Sequence, residues 1–208
     1  MLAELVATLT VVLARFITAV RGKWEGVEPV EERRIYFANH ASHGDFILIW
    51  TVLPLRLRQK TRPVAGADYW LKGALRRFII NDVFRGVLID RSPLKTEDPI
   101  ALMTSALDEG SSLIVFPEGT RNTTDAPLLP FKSGLYRLAK ERPDVVLVPI
   151  WIENLNRVMP KGEFVPIPLI CTVTFGAPVA LRTDVGKSEF TAQAEAALLA
   201  LSPKRTAS

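Results

Sequence analysis

The chain has 208 residues, 48% hydrophobic and 23% charged, with a formal net charge of +4. This balance is ordinary for a globular protein, and its length suits one α/β domain better than two small ones. Its one cysteine excludes an internal disulfide framework, which suits a reducing cytoplasm.

Residues 1–20 are apolar apart from Glu4 and Arg15, which share nearly the same face of a helix. A broad apolar surface with one thin polar stripe predicts a membrane-interface helix over residues 1–23, its end marked by Arg15, Arg21 and Lys23 facing anionic headgroups. The competing reading is a core helix. The charge-free run 5–14 is too short to span a bilayer, and Glu4 stands where a signal peptide needs basic residues.

Residues 24–208 are expected to form a single α/β domain. Residues 24–29 read as a turn-rich link, 34–38 as a buried strand and 45–53 as a helix stopped by Pro54. A basic patch follows: Arg56, Arg58, Lys60 and Arg62, then Lys72, Arg76, Arg77 and Arg85. Such a patch is a solvated face, or it contacts an anionic bilayer or an acidic carrier protein.

Further on, 63–67 reads as a strand, 69–80 as a helix, 84–91 as a strand and 99–109 as a helix with proline at its start. Residues 113–116 form a short, continuously apolar strand of the kind buried on both faces of a parallel sheet. Then come a helix over 132–142, a strand over 145–152, a loop over the site at 154–168, a strand over 169–175 that packs Cys171, and a terminal helix over 187–201. Alternating strands and helices imply right-handed crossovers and a largely parallel central sheet with helices on both faces. The strands' carboxyl ends then share one edge, which gathers His40, Arg91 and residues 118–121.

The stretch Asn39-His40-Ala41-Ser42-His43-Gly44-Asp45 holds both histidines and a carboxylate on a strand-to-helix turn. Imidazole, with an unperturbed pKa of about 6.5, suits proton abstraction near neutral pH, and Asp45 would fix its tautomer. A surface histidine and a helix-terminal aspartate would look the same. His40, His43 and Asp45 could also ligate a metal, although no further histidine completes a typical zinc site. Ser42 lacks the glycine-flanked elbow of a nucleophilic serine. Arg121, after Glu118-Gly119-Thr120, and Arg91 are candidates for a phosphate; Glu118 would hold an arginine or bind an acceptor hydroxyl. No Walker loop or dinucleotide fingerprint supports nucleotide chemistry, and no nucleic-acid partner is expected.

Four blocks in order, Asn39-His40-x-Ser42-x-x-Asp45, Gly86-Val87-Leu88-Ile89-Asp90-Arg91, Phe116-Pro117-Glu118-Gly119-Thr120-Arg121 and Val148-Pro149-Ile150, resemble the glycerolipid acyltransferases, of the 1-acyl-sn-glycerol-3-phosphate acyltransferase type. Phe131-Lys132-Ser133-Gly134 matches a run these proteins often place after the third block. The resemblance implies a glycerol-3-phosphate acyltransferase-like fold, with His40 as general base and Asp45 as its orienting partner. It implies that Arg91, Glu118, Gly119, Thr120, Arg121 and Gly86 bind the acceptor, and that Pro149 shapes the acyl-donor side. The implied donor is acyl-CoA or acyl carrier protein, the acceptor a lysophospholipid, and the site the cytoplasmic face of a membrane, with no metal or cofactor. One departure is a single candidate anchor helix where relatives often have two.

The expected reaction moves a fatty acyl group from a thioester to the free hydroxyl of a lysophospholipid, foremost lysophosphatidic acid, without a covalent enzyme intermediate. The rivals are an acyltransferase for another lysolipid, a metal-assisted lipid phosphohydrolase using His40, His43 and Asp45, and a non-catalytic lipid-binding protein of the membrane surface.

Overall fold

A computed structural model of the chain describes residues 1–42, 44–92, 97–153, 170–180 and 185–203. Its strands are β1 (Arg21–Trp24), β2 (Arg34–Ala38), β3 (Thr61–Gly66), β4 (Val87–Ile89), β5 (Ser112–Val115), β6 (Val146–Glu153) and β7 (Thr172–Phe175). They form one sheet in the order β1-β7-β6-β2-β5-β3-β4. All neighbours pair in parallel except β6 and β7, so β1 and β7 run against the other five.

The sheet sits between two helical layers, and period-two alternation along its strands divides the core. Tyr36, Ala38, Ile114, Val148 and Ile150 turn to the side covered by α1 (Leu2–Thr18) and α2 (Asp45–Val52). Ile35, Phe37, Leu113, Val115 and Leu147 turn to the side of α6 (Pro99–Asp108), α7 (Gly134–Glu141) and α8 (Lys187–Ala200). A strand buried on both faces has no polar side to show. That is why β2 and β5 read as apolar runs after their first residues, Arg34 and Ser112.

Between β2 and β4 lie α3 (Leu55–Arg58), α4 (Ala67–Trp70) and α5 (Ala74–Phe78), the last running on into a π-helical turn, Ile79–Val83. The single helix expected over 69–80 is therefore broken. Gly73, at φ 93°, takes a backbone conformation that ends α4 and starts α5 on a new axis. The strand expected over 84–91 shrinks to Val87–Ile89, because the Phe84 N–H closes the π-turn on Ile79 and Arg85 is left-handed at φ 50°. Phe84 instead packs edge-on against the rings of Phe46 and Trp50.

The amino-terminal helix stops at Thr18, short of the expected boundary at residue 23, because Ala19 turns left-handed at φ 44°. Arg21 and Lys23 then belong to β1. The expected strand residue Leu169, His43 and the loop expected over 154–168 lie outside the described residues.

Candidate active site

The turn from β2 into α2 is built by one carboxylate. Asp45 Oδ2 accepts the backbone N–H of Ala41 at 2.7 Å and of Ser42 at 2.8 Å, and lies 2.8 Å from His40 Nδ1. A carboxylate at the first position of a helix also meets the positive end of the helix dipole. Asp45 is 1% exposed and the His40 side chain 18%, so the imidazole reaches the surface while its partner does not. Because an ionised Asp45 can only accept, Nδ1 carries the proton and Nε2 presents its lone pair outward. The His40 ring stacks on Phe116, with centroids 4.2 Å apart, which fixes the remaining freedom of the imidazole.

The register of β2 beside β5 and β6 sets what lies next to this turn. Pairing of Phe37 with Val115 brings the segment after β5 against His40. Glu118 is buried; its Oε1 accepts the His40 N–H and its Oε2 the Leu129 N–H, each at 2.8 Å. Burial pushes the Glu118 carboxyl up, against the downward pull of these two N–H groups. Each oxygen accepts one backbone N–H, so Glu118 is a strut that ties two loops together. The Asn122 N–H completes the tie by donating to the His40 carbonyl at 2.6 Å. On the other side, the Asn39 amide donates to the Ile152 carbonyl and accepts the Ile152 N–H, clamping β6 to the turn.

Gly119, at φ 67°, has cationic neighbours. Arg91 Nη1 donates to its carbonyl at 3.3 Å, and Arg91 Nε lies 3.8 Å from Asp68. The aliphatic part of Lys132 crosses the space where a Cβ on Gly119 would stand, with its Cδ 2.8 Å from that position. Gly66, at the carboxyl end of β3, likewise leaves room for the Arg91 guanidinium. Thr120 and Arg121 are exposed on the same loop, and no carboxylate among the described residues pairs with Arg121.

Two expected site residues stand elsewhere. Gly86 precedes β4, at the edge of the sheet opposite the carboxyl ends, and a Cβ there would come within 2.7 Å of Ile80 Cδ1. There it packs closely against the π-turn. Pro149 is buried inside β6 opposite Phe37, just before the ladder with β7 begins at Ile150. Conversely, Lys132, Phe116, Asn39 and Gly66 were not singled out as site residues. Lys132 had a signal in the Phe-Lys-Ser-Gly run, and Asn39 and Phe116 adjoin the two strongest motifs.

Fold and site define an α/β domain with a histidine–aspartate pair open at the strand ends, beside a loop flanked by cations. A model of the acyltransferase family matches residues 21–153. The chain belongs to that family. It is similar to a 1-acyl-sn-glycerol-3-phosphate acyltransferase of Limnanthes douglasii, 31% identical over 180 residues, covering 80% of this chain and 57% of that protein. A Limnanthes alba protein of the same name is 32% identical over 168 residues, covering 74% of this chain and 53% of the relative. The chain thus spans little more than half the length of these relatives. A crystal structure of the 1-acyl-sn-glycerophosphate (LPA) acyltransferase PlsC of Thermotoga maritima superimposes with a TM-score of 0.72 at 22% identity, covering 95% of this chain and 79% of that one. At that identity the likeness speaks for the fold.

Proposed function

We propose that the protein transfers a fatty acyl group from a thioester, acyl-CoA or acyl carrier protein, to the free hydroxyl of lysophosphatidic acid. The observation that carries this reading is the His40 Nδ1–Asp45 Oδ2 pair at 2.8 Å, with an accessible imidazole beside the Arg91–Gly119 loop. The names of the relatives support the choice of acceptor. In the proposed step, His40 Nε2 takes the hydroxyl proton as the oxygen bonds to the thioester carbonyl carbon. The C–S bond then breaks, and the departing thiolate takes up the proton. The thioester is already activated, so base catalysis worth about 10²–10⁴-fold, together with positioning, carries the reaction. Asp45 stabilises the transient imidazolium. Arg91, Arg121 and Lys132 hold the acceptor's phosphate, and Gly119 and Thr120 line its glycerol. Ser42 Oγ accepts the Gly44 N–H at 3.2 Å and takes no part as a nucleophile.

The reading extends to the membrane. The inner face of α1 packs Ala3, Val6, Ala7, Val11 and Ile17 on the core, while Leu5, Leu9, Val12, Leu13 and Phe16 stand exposed on the outside. No described helix is long and apolar enough to cross a membrane. We take α1 to lie in the interface of the cytoplasmic leaflet, with residues 24–208 as one domain on that face. The test is thiol release from acyl-CoA and from acyl carrier protein, each offered with lysophosphatidic acid, lysophosphatidylcholine or monoacylglycerol. Thiol release dependent on lysophosphatidic acid and lost in His40→Ala is the expected result. Release without any acceptor would mean a thioesterase, and no release with any acceptor would overturn the proposal.

A further inference from the structure

The two halves of the basic patch have different fates. The first is consumed internally. Lys60 Nζ lies 3.0 Å from Glu31, and Arg56 Nη2 donates to the Pro29 carbonyl. Arg62 pairs with Glu109 at 2.9 Å. Arg58 donates to the carbonyls of Trp50, Thr51 and Leu53, capping the carboxyl end of α2, where a cation is favoured. Arg85, in the second half, donates to the Gln59 carbonyl. That leaves Lys72, Arg76 and Arg77, for which no carboxylate partner exists among the described residues; Arg76 rests on the Tyr69 ring, 4.4 Å from its centroid, and donates at 3.5 Å to the Tyr69 carbonyl beside it.

These three cations lie in a stretch, Leu71-Lys72-Gly73-Ala74-Leu75-Arg76-Arg77, in which every residue is exposed. Leu71 is 45% exposed and Leu75 71%. Leucines and exposed cations without a carboxylate partner, interleaved in this way, match a lipid interface, where the apolar side chains enter the acyl boundary and the cations meet phosphates. The stretch continues from β3, whose last residue Gly66 touches Arg91, and returns through the π-turn. The α1 helix packs against that same π-turn, so the two exposed apolar surfaces flank one element.

We propose that residues 71–77 are a second bilayer-docking element, in which Leu71 and Leu75 insert and Lys72, Arg76 and Arg77 bind anionic phospholipid headgroups. The surface stands apart from the acyl-transfer reading, and α1 is left intact in every test of it. The partner is a bilayer because an acidic protein surface would have no use for two leucines at the tip of the basic segment.

The experiment is partitioning of the purified full chain onto sucrose-loaded vesicles of phosphatidylcholine, with and without phosphatidylglycerol. Replacing Lys72, Arg76 and Arg77 together by glutamine should weaken binding to the anionic vesicles about a hundredfold. It should leave binding to pure phosphatidylcholine nearly unchanged. Leu71→Ser with Leu75→Ser should weaken binding to both vesicle types about tenfold or more. Because the stretch is exposed, melting temperatures should hold. As an independent readout, Leu75→Cys carrying an environment-sensitive fluorophore should shift to the blue on anionic vesicles, while buried Cys171 stays unlabelled. Unchanged partitioning of both variants, or a fluorophore that does not shift, overturns the proposal. So does a charge variant that binds vesicles normally but loses acyl carrier protein, which would assign the patch to the donor.

Discussion

The His40 turn and the outer face of α1 are opposite solutions to the same problem of where a side chain's interactions go. At the turn, Asp45 Oδ2 meets three donors, Glu118 meets two backbone N–H groups, and Asn39 exchanges two hydrogen bonds with Ile152. Polar groups buried there, apart from Asp45 Oδ1, are satisfied from within the chain, so the imidazole has one orientation and one tautomer. On α1, Ala3, Val6, Ala7, Val11 and Ile17 face inward, while Leu5, Leu9, Leu13 and Phe16 face out, with Phe16 87% exposed and Leu5 66%. That face is completed by nothing among the described residues. The contrast separates a region whose geometry is self-sufficient from one that gains most from an external apolar phase, and it predicts that damage to the first is chemical and damage to the second is a matter of location.

The sharpest break of that contrast is His40→Ala. Turnover should fall by about 10²–10⁴-fold with an unchanged melting temperature, because the proposed general base is removed while Asp45 still holds the turn. Thiol release and calorimetry on the same preparation check this, and undiminished turnover would remove the chemistry from the turn. Asp45→Asn should lose nearly as much, and unlike His40→Ala it should also lower stability by about 1–3 kcal/mol, since the three donors on Oδ2 then lose a charged acceptor and an amide NH2 takes the buried, unpartnered place of Oδ1. A purely kinetic effect would mean that the turn does not depend on that carboxylate.

Arg121→Lys keeps the charge but loses the guanidinium fork. The Michaelis constant for lysophosphatidic acid should rise about ten- to hundredfold, corresponding to roughly 1.5–3 kcal/mol, while a neutral monoacylglycerol hardly changes. Equal losses for both acceptors would move Arg121 out of the phosphate site.

On the helix, Phe16→Ser should reduce vesicle partitioning by roughly tenfold or more and leave stability within about 0.5 kcal/mol. Val11→Ala, one turn away but buried, should do the reverse. If both variants change stability alone, the outer face is not a membrane surface. The smallest effect concerns Cys171, whose thiol burial pushes up to about 11. Iodoacetamide at pH 8 should leave it unmodified in the folded protein and alkylate it readily in denaturant.

Much of the frame was legible in the chain. Buried strands such as Arg34–Ala38 and Ser112–Val115 announce themselves because, beyond their first residues, both faces are apolar. Strand β1 did not, because Arg21-Gly22-Lys23-Trp24 is an edge strand with three exposed residues, and its partner β7 lies at the far end of the sequence. The basic patch read as a single feature, but its members differ in which carboxylates and carbonyls of other elements reach them, and composition does not record that.

By itself the sequence determined the largely parallel sheet, the edge at which the motifs meet, and the pairing of His40 with Asp45. That pair is local: its partners are five positions apart, and a strand entering a helix brings them together whatever the rest of the sheet does. Only the tertiary structure decided that Glu118 is a strut, that Gly86 packs against the π-turn, and that Lys132 lies against Gly119. The His40–Glu118 bond joins residues 78 positions apart, and it exists because β2 lies between β5 and β6 in a particular register. Strand order and register are set by the burial of both sheet faces at once, a property of the assembled layers that no single stretch of sequence carries.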